Sequence, residues 1–123
     1  MSVKFDDKLP IYTQVVNIIK KQIVSGELKG GDKLSSVRGL STSLKVNPNT
    51  IQRAYQELER QELTFTQRGM GTFVTKDEDK IISLRKEMAN NIVEYFFKEM
   101  NELGFKSEDI KNIVVHKIEK GDN

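Results

Sequence analysis

The sequence contains no cysteine, no tryptophan, one histidine and only two prolines among its 123 residues. The absence of cysteine excludes disulfide bonds, cysteine-ligated zinc, iron–sulfur clusters and thiol nucleophiles. A single histidine, His116, leaves no histidine triad for a metal ion and makes a Ser-His-Asp hydrolase implausible. We therefore expect no enzyme, no metal site and no cofactor, and the lack of cysteine suits a reducing compartment.

Long apolar runs are also absent. No stretch approaches the roughly 20 residues that a membrane span requires, and residues 1–7 show no apolar core of a signal peptide. We expect a cytoplasmic chain without a membrane anchor. With 37% hydrophobic and 31% charged residues, it should form one globular domain or a small domain with an extension.

Acidic residues are missing from one long segment of this highly charged chain. Between Lys33 and Gln56 there are four basic residues and no acidic residue. Residues 1–75 hold 11 basic against 7 acidic residues, whereas residues 76–123 hold 9 against 11. A polyanionic partner for the first half explains this distribution. The alternative is a chance gap in a solvated surface.

What the sequence does contain is a series of short amphipathic segments. Residues 10–25 carry apolar residues at helical spacing and stop at Gly26, which predicts a first helix. A short second helix is expected over residues 36–44, capped by Ser35 or Ser36. A third begins abruptly at Pro48 with Asn47 as its cap, and its apolar face consists of Ile51, Ala54, Tyr55 and Leu58.

Two strand-like segments follow the third helix. Residues 63–67 and 72–75 favour strands, and the RGMG run at residues 68–71 predicts a hairpin with a basic tip. Residues 33–34 predict a short extended segment. Three helices followed by a hairpin describe a winged helix-turn-helix, so we expect a fold that is mainly α with a small β-wing.

The last third of the chain predicts two more helices. Over residues 78–103 a first apolar stripe recurs at helical steps, formed by Ile81, Leu84, Met88, Ile92, Phe96, Met100 and Leu103. A second stripe lies beside it, formed by Ile82, Ala89, Val93 and Phe97. A final helix is expected with Ser107 as its cap. Because this surface is too broad for one neighbour, we expect the second stripe to be a homodimer interface.

The third helix carries side chains suited to DNA. In a helix-turn-helix, the second helix of the motif enters the major groove, so its first residues should be polar. Asparagine and glutamine can bind an adenine edge with two hydrogen bonds, and threonine can contact a thymine methyl or a phosphate. The candidate DNA contacts are Asn47, Asn49, Thr50, Gln52 and Arg53, with Arg38 from the second helix and Arg68 and Gly69 from the hairpin tip.

These assignments have simpler alternatives. Asn47 has a sufficient role as a helix cap, and Arg38 alone would be an ordinary surface arginine. The glycines of the hairpin tip do not form a phosphate loop, because no helix follows them. The aromatic residues of the first half have apolar neighbours and are expected in the core, not stacked on bases: Tyr12, Tyr55, Phe65 and Phe73.

Six ordered blocks resemble the DNA-binding domain of the GntR family of bacterial transcription regulators. They are PIYTQV at residues 10–15, GEL at 26–28, GDKLSSVR at 31–38, VNPNT at 46–50, AYQEL at 54–58 and RGMGTFV at 68–74. The remaining 48 residues are too few for the large ligand-binding domains of most subgroups. They resemble the short two-helix tail of the YtrA-like subgroup.

The resemblance implies a homodimer on an operator of inverted half-sites, often controlling an ABC transporter operon. It places the family's DNA contacts on the same candidate residues. The chain departs from the family pattern at four positions: Ser35 replaces a proline, Gly39 a glutamate, Glu62 a glycine and Met70 a basic residue. If Glu62 adopts a positive φ, the strain should be of the order of 1 kcal/mol.

We therefore predict a sequence-specific DNA-binding transcription regulator, a dimeric repressor without catalytic chemistry. Residues 1–75 would be the DNA-binding domain and residues 76–123 the dimerisation tail. The sequence leaves open whether a small-molecule effector binds to this tail. The alternative is a winged-helix module that binds protein and does not read DNA. The acid-free surface argues against it, because a protein-binding face should expose more apolar area.

Overall fold

The computed structural model describes residues 3–121, in which there are five helices and a two-stranded sheet. In chain order these are α1 (Ile11–Ser25), α2 (Val37–Leu44), α3 (Pro48–Arg60), β1 (Thr64–Gln67), β2 (Gly71–Val74), α4 (Glu78–Glu102) and α5 (Ser107–Glu119). The chain divides into two compact units between Leu84 and Arg85. No helix of the described range is long and apolar enough to cross a membrane. The predicted fold class is confirmed.

The first helix, α1, supplies one wall of the core. It begins after Pro10 and ends at Gly26, whose φ of 87° forms a left-handed C-cap. The residues of α1 that are buried are Val15, Val16, Ile19 and Ile23. Ile11, the first residue of α1, is apolar but exposed, because it lies roughly 100° around the helix from the centre of the buried set.

Side-chain caps start both helices of the helix-turn-helix. The Ser36 hydroxyl accepts a hydrogen bond of 2.9 Å from the Gly39 amide at the start of α2. At the start of α3, the side-chain oxygen of Asn47 accepts one of 2.7 Å from the Asn49 amide. Lys45 ends α2 in a left-handed conformation with a φ of 57°, which produces the sharp turn. Both predicted caps are confirmed.

The apolar face of α3 packs against α1 and α2. All four residues predicted for this face are buried, namely Ile51, Ala54, Tyr55 and Leu58. A fully buried large aliphatic side chain contributes about 1.5–3 kcal/mol relative to an exposed one. This packing fixes the rotation of α3 about its own axis and leaves its polar side chains outside.

Tyr55 ties α3 to the segment that precedes α2. Its hydroxyl donates a hydrogen bond of 2.6 Å to the carbonyl oxygen of Ser35, next to the cap of α2. Burial raises the pKa of the Tyr55 hydroxyl to about 12. The contact between α3 and the segment before α2 therefore depends on the Tyr55 hydroxyl, which stays protonated.

The wing is an antiparallel hairpin extended by one short segment. Phe65 of β1 lies opposite Phe73 of β2, and their rings stack with centroids 5.7 Å apart. The Leu34 amide donates a hydrogen bond of 2.8 Å to the carbonyl oxygen of Thr72. Residues 33–34 thus form the predicted extended segment, and they connect the wing to the chain between α1 and α2.

The second unit consists of the later part of α4 and of α5. Gly104 follows α4 with a φ of 93°, and Ile110 of α5 is buried. The prediction of Ser107 as a cap is wrong, because Ser107 is the first helical residue and Lys106 precedes it. The Asp109 carboxylate accepts a hydrogen bond of 3.0 Å from the Lys106 amide, so an acidic residue organises this helix start.

Much of the apolar surface of α4 is exposed. Ile82 and Val93 are each 50% exposed, Phe97 is 40% exposed, and Ala89 is exposed as well. Ile92, a member of the first stripe, is 66% exposed. Within one protomer, therefore, neither stripe is covered along its whole length.

The link between α3 and the wing passes through a left-handed residue. Glu62 stands where the resembled family commonly has a glycine, and it has a φ of 61°. The strain considered for a positive φ at this position therefore applies. Its carboxylate accepts a hydrogen bond of 3.3 Å from the Lys80 ammonium at the start of α4. Glu62 is largely exposed, so this ion pair contributes at most about 1 kcal/mol.

Replacing Glu62 by glycine and by alanine separates the backbone strain from the ion pair. Both variants lose the contact with Lys80, but only alanine keeps a Cβ atom at positive φ. We expect Glu62→Gly to be more stable than Glu62→Ala by about 1 kcal/mol. Urea unfolding followed by circular dichroism measures the difference, and equal stabilities would show that residue 62 is unstrained.

The Tyr55 hydroxyl predicts a loss of stability in alkali. In the unfolded chain a tyrosine ionises near pH 10, whereas folded Tyr55 keeps its proton up to about pH 12. The stability from this proton is fully present below about pH 10 and is lost as the pH rises towards about 12. The wild-type chain should lose more unfolding free energy than Tyr55→Phe between about pH 8 and pH 11.5.

Urea unfolding at both pH values tests this expectation. At about pH 8, Tyr55→Phe should be less stable than wild type by about 1 kcal/mol, because the Ser35 carbonyl loses its donor. Tyr95→Phe makes the same change at an exposed tyrosine and should leave the difference between the two pH values unaltered. An identical alkaline loss in wild type and Tyr55→Phe contradicts the prediction.

Candidate nucleic-acid interface

All residues predicted to contact DNA belong to the first compact unit. Thr50 is half-buried in the first turn of α3, and the others are exposed: Arg38, Asn47, Asn49, Gln52, Arg53, Arg68 and Gly69. Within residues 3–121, no three potential ligands gather into a group that could hold a metal ion. The surface offers amides and arginines, which are groups that bind base edges and phosphates.

The outer face of α3 is polar because its inner face is fully used by the core. At about 100° per residue, Asn49, Arg53, Gln56 and, at the far end of the helix, Arg60 point most directly away from the buried side. Thr50 lies on the edge of α3 next to α1, and Gln52 lies on the opposite edge. The face therefore presents three amide side chains that can donate and accept hydrogen bonds.

Arg38 occupies the second position of α2, two residues after the capping Ser36. The hydrogen bond between Tyr55 and the Ser35 carbonyl holds the chain just before this helix. Arg38 is exposed, and none of the ion pairs in the described part of the chain involves it. Its charge is therefore available to an anion.

Acidic side chains occur only in the C-terminal half of α3, where other residues engage them. Hydrogen bonds from Arg60, at 3.0 Å, and from Gln61, at 2.6 Å, lower the pKa of Glu57 to about 2. Glu59 accepts a hydrogen bond of 2.6 Å from the Thr66 hydroxyl of β1. These carboxylates fasten the end of the helix and its junction with the wing, and the first half of α3 has none.

The wing tip is a tight turn that exposes a positive charge. The Met70 amide donates a hydrogen bond of 2.9 Å to the carbonyl oxygen of Gln67. Gly69 has a φ of 78°, which a residue with a side chain adopts only with strain. Arg68 and Met70 are exposed on either side of this glycine.

Lys33 is a basic residue near the wing that the predicted site did not include. Its side chain runs under Gly71, where an added Cβ atom would lie 2.7 Å from the Lys33 Cε. Gly71 has a φ of 122° and pairs with Gln67 at the base of the wing tip. The only sequence signal for Lys33 was its position at the start of the acid-free segment.

Tyr12 differs from its prediction as a core residue. It is only half-buried, and the guanidinium carbon of Arg53 lies 3.9 Å from the centroid of its ring. This distance is that of a cation–π contact. The sequence showed an apolar stripe on α1 and a polar face on α3, but it did not show that the edges of these two faces meet.

Known proteins match this chain in sequence and in fold. The family described as bacterial regulatory proteins, gntR family, matches residues 11–74. The uncharacterized HTH-type transcriptional regulator YhcF of Bacillus subtilis is 41% identical over 110 residues, which cover 89% of this chain and 91% of YhcF. The HTH-type transcriptional repressor YtrA of the same organism is 37% identical over 91 residues, covering 69% of this chain and 70% of YtrA.

Solved structures give the same result. A GntR family transcriptional regulator from Listeria monocytogenes superposes with a TM-score of 0.85 at 47% identity, covering 91% of this chain and 98% of its own. The DNA-binding domain of AraR in complex with operator ORX1 matches with a TM-score of 0.54 at 29% identity, covering 61% of this chain and 92% of its own. These relatives are transcription regulators and not enzymes, as predicted. The family model matches more than half of the chain, and YhcF is 41% identical to it along most of its length. This protein therefore belongs to the GntR family of bacterial helix-turn-helix transcription regulators.

Proposed function

We propose that this chain is a cytoplasmic homodimeric repressor that binds an operator with two inverted half-sites and needs no cofactor. In this proposal α3 enters the major groove and the wing contacts the adjacent backbone. The observation that carries it is the outer face of α3, where amide side chains and Arg53 project from a half-helix without acidic residues.

The proposed base contacts are the amides of α3. Asn49 and Gln52 are exposed, and each can form two hydrogen bonds with an adenine edge. Thr50 can bind a thymine methyl or a phosphate. The side-chain oxygen of Asn47 already accepts one hydrogen bond as the α3 cap, which leaves its second lone pair and the two N–H donors of the amide for DNA.

The proposed backbone contacts come from outside α3. Arg68 and Gly69 lie at the tip of the wing, where glycine permits close approach and arginine is attracted by the negative potential of the minor groove. Arg38 at the start of α2 adds a second positive charge on the DNA side. Such contacts set orientation and affinity and carry little sequence information.

The proposed dimer interface lies on α4. The second stripe supports it, because Ile82, Ala89, Val93 and Phe97 are all exposed in the protomer. We keep residues 1–75 as the DNA-binding domain and 76–123 as the dimerisation tail. The family match ends at residue 74, while the first compact unit continues to Leu84.

The name of YtrA, a transcriptional repressor, supports repression as the mode of action. The resemblance to the YtrA-like subgroup extends the proposal to control of an ABC transporter operon. Electrophoretic mobility shifts on DNA upstream of the chain's own gene, with a random duplex as competitor, test the operator directly. Equal affinity for both duplexes would favour the winged-helix protein-binding module instead.

Four substitutions should separate backbone contacts from base reading. Arg38→Ala and Arg68→Ala should weaken binding to operator and random duplexes alike and reduce the salt dependence by about one unit each. Asn49→Ala and Gln52→Ala should cost about 1–3 kcal/mol on the operator and little on random DNA. Fluorescence anisotropy over a salt series measures both quantities.

The matched control for the arginines is Arg60→Ala, which removes a positive charge from the other end of α3. It should leave the salt dependence nearly unchanged. Equal losses on both duplexes for all four substitutions would contradict the role of α3 as the reading helix.

Phe97→Asp should dissociate the dimer and leave the protomer folded. A buried phenylalanine contributes about 1.5–3 kcal/mol, and a twofold axis counts each change twice. Because Phe97 is 40% exposed in the single chain, association can bury only that fraction of it. The substitution should therefore weaken the dimer by about 1–2.5 kcal/mol, with a further cost for burying the carboxylate. Sedimentation equilibrium together with circular dichroism measures association and folding in the same variant.

Tyr95→Asp is the matched control. Tyr95 is 64% exposed and lies about 160° around α4 from Phe97, so the control should remain a dimer. A dimer that persists in Phe97→Asp places Phe97 outside the interface. A lost helical signal in Phe97→Asp places it in the protomer core.

A further inference from the structure

Among residues 3–121, the side chain of Arg53 contacts an aromatic ring and pairs with no carboxylate. Its guanidinium carbon lies 3.9 Å from the Tyr12 ring centroid. In the part of the chain that the structure describes, no hydrogen bond or ion pair of its side chain accompanies this contact. The stack restricts the position of the guanidinium without neutralising its charge.

The stack lies at one edge of the recognition helix, away from Gln52. A cleft of about 430 Å³ opens there between the first turns of α1 and α3, lined by Pro10, Ile11, Tyr12, Asn49, Thr50 and Arg53. The lining contains one positive charge, two hydroxyls and an amide, and it contains no acidic side chain. This combination suits an anion with several acceptor oxygens.

The geometry of stacking leaves Arg53 competent to bind such an anion. A guanidinium that lies on a ring uses one face, while its five N–H donors point outward in the plane of the group. That fork matches two oxygens of a phosphate. The Thr50 hydroxyl lines the same cleft and can donate a further hydrogen bond.

We propose that this cleft binds one backbone phosphate of DNA, with Arg53 as the ligand and Tyr12 as its positioning residue. The proposal rests on the proposed function. It makes Arg53, so far only a candidate DNA contact, a ligand of the DNA backbone. It also gives Tyr12, which the sequence assigned to the core, a part in DNA binding.

A double-mutant cycle on the full chain tests the proposal with an operator duplex and a random duplex. Arg53→Gln should weaken both complexes about equally and lower the salt dependence by about one unit. Tyr12→Leu keeps an apolar side chain but removes the stack, so it should weaken both complexes about 2- to 5-fold. In the Arg53→Gln background, Tyr12→Leu should have no further effect.

Three variants serve as controls. Tyr12→Phe keeps an aromatic ring and should retain the salt dependence of wild type. Tyr12→Leu combined with Gln52→Ala should show additive losses, because Gln52 lies on the opposite edge of α3. Arg53→Lys keeps the charge and loses the planar fork, so it should retain the salt dependence and bind both duplexes less tightly.

Each outcome is decisive. A loss from Tyr12→Leu that persists in the Arg53→Gln background would show a merely structural role for Tyr12 and overturn the proposal. A loss from Arg53→Gln that is confined to the operator would make Arg53 a base reader and would also overturn the proposal. This second result does not depend on whether Tyr12→Leu folds. If wild type bound neither duplex, the proposed function itself would fail.

Discussion

The burial of one face of α3 is the constraint on which the rest of the interface depends. Ile51, Ala54, Tyr55 and Leu58 are all covered, so the helix cannot rotate without exposing apolar surface. Since a helix with a fixed apolar face also has a fixed polar face, the amides and Arg53 must project outward. The hydrogen bond from Tyr55 then carries this restraint to the start of α2, where Arg38 lies.

The elements that the sequence predicted well are those set by local chemistry. Ser36 and Asn47 cap their helices, and Gly26 ends α1, because each satisfies backbone groups within a few residues. The predictions were weaker where two elements meet. Ile11 lies at the edge of the buried face of α1 and is exposed. The ring of Tyr12 contacts Arg53, which is 41 positions later in the chain, so this contact depends on how α1 packs on α3.

In the candidate interface, too, features set by local sequence were predicted and features set by packing between elements were not. Exposure of the predicted DNA contacts follows from the period of α3 and from the hairpin, both readable in sequence. The cleft between α1 and α3, and the path of Lys33 beneath Gly71, are consequences of packing and were not predicted. The start of α5 shows a third case, in which two residue types compete for one role, since Asp109 organises the turn that Ser107 was expected to cap.

Two departures from the family pattern act on the charge of the interface in opposite directions. Gly39 stands three residues after the cap of α2, where the family's glutamate would complete a capping box, and its amide still donates to Ser36. Losing that carboxylate removes a negative charge beside Arg38, while Met70 removes a positive charge beside Arg68. Because attraction of a polyanion depends on the summed charge of the surface, the two changes offset one another. In the proposed interface, the two changes together shift positive charge from the wing tip towards the start of α2.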